Sequence, residues 1–269
     1  MLNPNEYTKK REALLTRYEE AVREWLKTDD KYNIADKVPF FCDGVTCPEI
    51  WFQSNNEFRP LFILKEVSLG VDSINELDGF LKTWNEQTRF NFVECPFDDV
   101  KIGRFTLWKK IAALANGLEN VYIKKSIREY DINAFEYIKG EEYKGKIDGY
   151  IKYGARTSNA LYNDVINKIA VLEIKKIGGG RSVGSELSIC TRHYIEHIAP
   201  FKDLIIEQIK LIDPTVIICC SKEFNTLGLL REIENQTNDV KWIYGCHPTF
   251  NSIEAFYYKP LREFYDIMN

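Results

Sequence analysis

The sequence predicts an α/β fold in which three layers, α/β/α, are built around a central parallel sheet of about four strands. Four short apolar runs end abruptly in polar or glycine-containing segments, as strands buried on both faces do. They cover residues 60–64, 169–172, 215–220 and 240–244. Segments with helical spacing stand between these runs. Strands that alternate with helices form parallel sheets through crossover connections, so both observations indicate the same fold class.

The helical segments are predicted from apolar residues that recur three to four positions apart. In the first, Asn5 to Lys27, a Tyr, Leu and Trp stripe lies between charged residues. The other predicted helices cover residues 73–84, 106–118, 159–168, a stretch interrupted at Pro200 that ends at Leu211, 222–232 and 253–267. Residues 40–45 are predicted to be a loop.

The composition predicts one globular domain. The chain has 269 residues, of which 45% are hydrophobic and 28% charged, which is enough apolar content for a sizeable core. We expect a single α/β domain over residues 1–269, with a helical extension over 1–59 and the core over 60–269. Residues 120–155, rich in Lys, Glu and Tyr, are predicted to be an insertion. We expect a monomer.

Charge and cysteine content narrow the class of protein. The formal net charge is −4, which disfavours non-specific coating of nucleic acid because that needs a broadly basic surface. No apolar run is long enough to span a membrane, and no basic segment followed by an apolar one opens the chain. An odd number of cysteines, 7, is typical of reduced thiols, so we expect a cytoplasmic protein without membrane partners.

Two residues that follow predicted strands are candidates for catalysis, because ligands of parallel sheets bind at the carboxyl ends of the strands. Glu66 comes shortly after the strand at 60–64, and its carboxylate could orient or activate a water molecule. His247 follows the last strand, where a neutral imidazole could donate a hydrogen bond to a developing oxyanion. The alternatives are a solvated charge for Glu66 and a turn-capping role for His247.

A glycine-rich loop follows the second predicted strand. Gly178, Gly179 and Gly180 would let backbone amides approach a phosphate, and the basic residues around them supply positive charge. These basic residues are Lys175, Lys176 and Arg181. The loop matches neither the Walker nor the dinucleotide-binding pattern. The sequence therefore predicts phosphate contact, with a flexible surface loop as the alternative.

Two metal sites are weighed, and the first of them, a zinc metallohydrolase site, stays as an alternative function. His193, Glu196 and His197 have the H-x-x-E-H spacing of a zinc hydrolase, but Pro200 follows so closely that it would end or kink the helix. A cluster would need four soft ligands. The candidates for these four ligands are Cys42, Cys47, Cys95 and Cys190, whose spacing does not indicate such a site. We expect no metal and no other cofactor.

Taken together, the strand ends resemble the uracil-DNA glycosylase superfamily. The resemblance is carried by the strand running into Glu66, by the segment Val171 to Lys176, and by Gly245-Cys246-His247-Pro248-Thr249, which is similar to the family's His-Pro-Ser motif. A helix leading through Asp213-Pro214 into the third strand adds to it. The resemblance covers Pro60 to the last residue, except for the segment Tyr122 to Tyr153, which it does not match.

This resemblance implies an α/β/α protein that flips a base out of DNA and hydrolyses its N-glycosidic bond. Glu66 would then activate water and His247 would stabilise the leaving base. Glu173, with Lys65, would bind the base, and Thr249 and the glycine-rich loop would bind phosphates.

The departures from the family pattern leave a second function open. Glycine and proline are missing around Glu66, and Glu173 replaces the usual Asn, so an ionised side chain there could only accept hydrogen bonds. The alternative is a non-catalytic protein of the same fold that binds nucleic acid or a nucleotide. The expected partner is DNA, bound with modest affinity by a small basic rim around the glycine-rich loop, or a nucleobase or nucleotide ligand.

Overall fold

The computed structural model describes residues 2–28, 38–64, 73, 76–77, 82, 89–91, 105–124, 165–178, 198–220, 229–246 and 254–268. Most of the predicted helix at 73–84, most of the one at 159–168 and most of the insertion at 120–155 lie outside these residues.

The described strands form one large sheet and one small one. They are β1 Phe40–Cys42, β2 Gly44–Val45, β3 Pro60–Leu64, β4 Arg89–Asn91, β5 Ala170–Glu173, β6 Val216–Cys219 and β7 Lys241–Tyr244. The large sheet has the order β2-β5-β3-β6-β7, and β1 pairs with β4 separately. Strands β5, β3, β6 and β7 are mutually parallel, whereas β2 is antiparallel to β5.

The predicted parallel sheet of four strands is thereby confirmed, with β3 at the residues expected for it. The prediction of a loop over residues 40–45 was wrong, because this segment supplies β1 and the fifth strand, β2, of the large sheet. Two- and three-residue strands are too short to produce a periodic pattern.

The described helices are α1 Pro4–Lys27, α2 Pro48–Trp51, α3 Phe105–Lys124, α4 Lys202–Ile212, α5 Leu229–Gln236 and α6 Lys259–Met268. A 3₁₀ turn at Ala199–Phe201 leads into α4, and a π-helical turn at Glu254–Tyr258 leads into α6. Helix α3 extends six residues beyond its predicted end at residue 118, and α5 runs past its predicted end at 232.

Helix α1 belongs to the core of the domain. Asn3 caps its first turn, accepting a hydrogen bond from the amide of Glu6 at 2.9 Å, and Pro4 suits the first helical position. Its apolar stripe, which includes Tyr7 and Tyr18, is buried in the same cluster as residues of β3 and β5. The region predicted as an N-terminal extension therefore supplies a helix and, through β2, a strand to the domain core.

Helices cover both faces of the large sheet. On one face, α1, α4 and α5 pack against alternate strand residues such as Ile63 and Leu172. On the other face, α3 and α6 pack against the intervening residues, such as Phe62 and Val171. Because both faces are covered, the central strands are apolar throughout rather than alternating.

The strand order explains which helix lies on which face. The chain moves from β3 to β5 in one direction across the sheet, and from β5 to β6 and then β7 in the other. Right-handed crossovers in opposite directions must place their helices on opposite faces. Helix α3 of the first crossover indeed lies opposite α4 and α5 of the later ones. Among the described helices, none is long and apolar enough to cross a membrane.

Candidate functional site

The strand order reverses between β3 and β6 at the carboxyl edge of the sheet. The connections leaving β3 and β6 go to opposite sides, so the chain separates between the carboxyl ends of these two neighbouring strands. Doubly wound sheets bind their ligands at this point. In register, Leu64 stands opposite Glu173, and Ile63 stands opposite Cys219. The ends of β5, β3 and β6 therefore lie side by side.

Most of the predicted site residues lie outside the described part of the chain. They are Lys65, Glu66, Gly179, Gly180, Arg181, His247 and Thr249. Their roles stay predictions. The described ones are Glu173, Lys175, Lys176 and Gly178, and the structure locates each of these four.

Glu173 is the last residue of β5 and lies beside the end of β3, where a base-binding residue is expected. It is buried, with 2% of its surface exposed. Its backbone amide points to the β2 side of the sheet and donates to Oδ2 of Asp43 at 2.5 Å. The next amide, that of Ile174, donates to the carbonyl of Leu64 at 3.1 Å. The backbone is thus held on both sides where β5 ends.

Lys175 and Lys176 are located in the protein interior, whereas the sequence predicts an exposed basic rim. Lys175 is 1% exposed. The ammonium of Lys176 is completely buried, 2.5 Å from Oδ2 of Asp43 and 5.7 Å from the centre of the Tyr18 ring. Burial lowers the pKa of Lys176, although the neighbouring Asp43 acts in the opposite direction. The charge of Lys176 is therefore already matched by a carboxylate.

Gly178 takes part in a backbone pairing. Its amide donates to the carbonyl of Pro39 at 3.2 Å, and Phe41 donates to the carbonyl of Lys176 at 2.7 Å. The segment after β5 therefore runs antiparallel to β1, with a bridge between Phe40 and Ile177. The amide that phosphate binding would require from Gly178 is occupied by a carbonyl.

Asp43 is the centre of a buried polar cluster that the sequence analysis missed. Its side chain is fully buried and accepts three hydrogen bonds. Oδ2 accepts from the Glu173 amide and the Lys176 ammonium, and Oδ1 accepts from Nε2 of Gln208 on α4 at 2.5 Å. A charge can be buried in this way only when its hydrogen-bonding capacity is satisfied.

Helix α1 supports Asp43 from the other side. Nε of Arg11 donates to the Asp43 carbonyl at 2.7 Å, and the hydroxyl of Tyr7 accepts from the amide of Val45 at 2.9 Å. Burial raises the pKa of Tyr7 to about 12, so this hydroxyl stays protonated at neutral pH. An Asp-Gly pair between apolar residues, Phe41-Cys42 and Val45, is the sequence signal that could have indicated this cluster.

At the other side of the sheet, a second carboxylate caps the end of β7. The amide of Tyr244 donates to Oε1 of Glu263 on α6 at 3.2 Å, and its hydroxyl donates to Oε2 of Glu234 on α5 at 2.8 Å. Partial burial raises the pKa of Glu263. The strand that leads to His247 along the chain is therefore held by two helices.

The thiols near the site are suited to packing rather than to nucleophilic chemistry. Burial raises the pKa of Cys220 well above its ordinary value, so the thiolate is strongly disfavoured. Cys42, Cys47, Cys219, Cys220 and Cys246 are free thiols. Among the described residues, no group of three His, Cys, Asp or Glu side chains could hold a metal ion.

The remaining residues of the two metal sites weighed above lie outside the described part of the chain, so those sites stay untested. They are His193, Glu196, His197, Cys95 and Cys190.

The described part of the site thus combines the reversal of strand order between β3 and β6 with strand ends held by hydrogen bonds. Its polar groups are a buried acidic residue, Glu173, and the buried ion pair of Lys176 with Asp43. Such an edge can orient a ligand by hydrogen bonds in a water-poor environment, where each bond contributes more than in solvent. Comparison with protein-family models, with curated proteins and with solved structures gave no match.

Proposed function

We propose that this protein is a DNA glycosylase-like hydrolase, which binds a flipped-out base at the carboxyl edge of the sheet and cleaves its N-glycosidic bond. The proposal includes a fold of the uracil-DNA glycosylase kind. It is supported by the order of the parallel strands, with the end of β3 between those of β5 and β6. Glu66 follows Leu64 by two residues, and Glu173 stands opposite Leu64.

In the proposed reaction, the oxygen of a water molecule bonds to the anomeric carbon of the sugar as the carbon–nitrogen bond breaks. The electron pair of the broken bond leaves with the base. Glu66 accepts the proton of the attacking water, and His247 donates a hydrogen bond to the departing base, which then takes a proton from solvent. A carboxylate near the sugar and a neutral donor near the base match the charges that develop in the transition state.

The side chain of Glu173 indicates which class of base we expect the protein to bind. An ionised carboxylate only accepts hydrogen bonds, so we expect a base that presents an N–H group, such as an exocyclic amine, to this position. Uracil, which presents both donors and acceptors along its edge, is then a weaker substrate than a base with an amino group.

The test uses the purified full-length protein and a panel of oligonucleotides, each carrying one damaged or unusual base. Released base is measured by chromatography and mass spectrometry, with single-stranded and mismatched substrates because unstacking costs least there. We expect Glu66→Gln and His247→Ala each to lower the rate of base release by about a hundredfold or more. Glu20→Gln, an exposed change on α1, serves as the matched control and should leave the rate unchanged.

Absence of base release from every substrate of the panel would refute the enzymatic proposal. Equal rates for Glu66→Gln and the Glu20→Gln control would refute the role of Glu66 in particular.

The burial of Lys175 and Lys176 favours one second candidate, a protein that binds a nucleobase or nucleotide without cleaving it. These two lysines lie in the interior and cannot contact a DNA backbone, and the net charge of −4 disfavours binding to it. Calorimetry with mononucleotides and with short single-stranded DNA distinguishes the candidates. Binding of mononucleotides with little salt dependence and no turnover would favour this second function.

A further inference from the structure

We propose that Asp43 is a positioning residue, which sets the orientation of Glu173 at the base-binding end of β5. The inference rests on the proposed function, because it assigns to Asp43 a part in base selection. Asp43 itself touches the backbone of Glu173 and the side chain of Lys176, so it acts through β5.

The first support is the hydrogen bond that the Asp43 carboxylate accepts from β5 beyond the end of β2. Strand β2 pairs with β5 only at Val171 and Ala170, so it ends before it reaches the amide of Glu173. Oδ2 of Asp43 accepts from this amide in place of a strand carbonyl. On the opposite side, Ile174 donates to Leu64 of β3. Removing the carboxylate would take this acceptor from the Glu173 amide, although the residues that follow would stay paired with β1.

The second support is the chain geometry around Asp43. Gly44 has a φ of +138°, and a Cβ built on it would lie 2.5 Å from the hydroxyl of Tyr7 and 3.0 Å from Nε of Arg11. Only glycine adopts this conformation without strain and fits this close contact. The turn and helix α1 together hold the Asp43 backbone in one position. If the carboxylate served only to compensate the charge of Lys176, its backbone would not need to be held in this way.

The third support is the location of the cluster. A buried ion pair is weak evidence that the pair is there to stabilise the fold, because apolar residues of similar volume often stabilise a protein equally well. Another ion pair at the sheet, Arg59–Asp213, lies at the amino ends of β3 and β6, with the Asp213 side chain half-exposed. The fully buried pair, by contrast, lies at the carboxyl edge where ligands bind. Fixed geometry at that edge is the function that we assign to it.

The test compares Asp43→Asn with Asp213→Asn, the same chemical change at the opposite edge of the sheet. In the Asp43→Asn variant, three donors converge on a side-chain amide whose NH₂ group cannot accept a hydrogen bond. The backbone amide of Glu173 therefore loses its acceptor. We expect amide exchange in residues 170–178 to accelerate by about tenfold or more, as loss of one charge-assisted hydrogen bond would cause. Asp213→Asn should leave exchange in this segment unchanged.

Substrate kinetics separate positioning from mere stability. At a temperature where both variants are folded, Asp43→Asn should raise KM by about tenfold and change kcat by less than about threefold. A purely structural role would lower the amount of folded protein and leave KM of the folded fraction as it was. An unchanged KM, or unchanged exchange at 170–178, overturns the proposal.

A rescue variant uses the side chain of Gln208, whose Oε1 has no hydrogen-bond partner among the described residues. Combining Asp43→Asn with Lys176→Met removes one donor and both charges. If the Gln208 amide rotates, its oxygen can accept from the new amide while the Glu173 amide keeps an acceptor. We expect KM and amide exchange to return to within about threefold of the wild-type values.

If the folded rescue variant does not recover the wild-type KM and amide exchange, the positioning role is overturned. The effect of Asp43→Asn would then be explained by the loss of a required charge rather than by a change of geometry. If the wild-type protein neither binds nor releases any base, a role in base selection is overturned together with the proposed function. Amide exchange still decides, independently of activity, whether Asp43 holds the end of β5.

Discussion

Replacing Lys176 by Met tests whether the buried ion pair is a unit. The side chains of Lys176 and Asp43 are both completely buried, so water cannot compensate for the loss of either. Breaking such a pair by removing one partner destabilises by about 3–5 kcal/mol. Because Asp43 keeps its bonds from the Glu173 amide and from Gln208, we expect the lower end, about 3 kcal/mol.

Urea unfolding followed by tryptophan fluorescence measures this loss as a change in the free energy of unfolding. The matched control is Lys10→Met, which breaks an ion pair with Glu6 in which the lysine side chain is 54% exposed. This control should cost less than about 0.5 kcal/mol. A loss of under about 1 kcal/mol for Lys176→Met would contradict the structure, because the uncompensated Asp43 would then be reached by water.

The pKa of Lys176 also predicts the direction in which the stability of the protein changes with pH. Burial holds the pKa of Lys176 below its ordinary value of 10.5 in the folded protein. In the pH range between the lowered pKa of Lys176 in the folded protein and its ordinary pKa in the unfolded chain, the unfolded chain binds more protons than the folded one. The free energy of unfolding of the wild-type protein therefore rises with pH in this range. Lys176→Met lacks this contribution. The wild-type protein should therefore gain stability relative to the variant as the pH rises through this window; a pH-independent difference would refute the assigned direction.

Three further changes test the packing around the site and the start of α1 by thermal or urea unfolding. Gly44→Ala should destabilise by about 1–3 kcal/mol, because of its positive φ and the contact with Tyr7, whereas Gly245→Ala, whose Cβ meets only ordinary contacts, should change the stability by about 0.5 kcal/mol. Asn3→Ala removes the cap of α1 and should cost about 1 kcal/mol; no loss would show that the cap is replaced by water. Trp51→Phe removes the bond from the buried indole to the last carbonyl of α4 at 2.8 Å and should cost about 1–3 kcal/mol, and a neutral result would contradict the burial of that carbonyl.

The parallel strands could be predicted because the information for them is local. A run such as Pro60–Leu64 is apolar at every position, and only a strand covered on both faces requires that pattern over so few residues. Helix α1 was predicted for the same reason, since its apolar stripe and its ends lie within the segment itself. Strand β2 could not be predicted, because two residues have no period and are held by a partner more than 100 residues away.

The candidate site shows the same division. The sequence by itself determined the fold class, the strand ends and hence the edge where ligands are expected, because buried strands must be apolar and their ends must not be. It could not determine that Lys176 faces inward, because the Lys-Lys pair beside a glycine-rich loop has the pattern of a basic surface. The tertiary structure decided this by bringing Asp43, 133 residues away, and Gln208 to one buried point. A charged residue is buried only where its partner is, and that partner is chosen by the packing of α1, α4 and β2 around the end of β5.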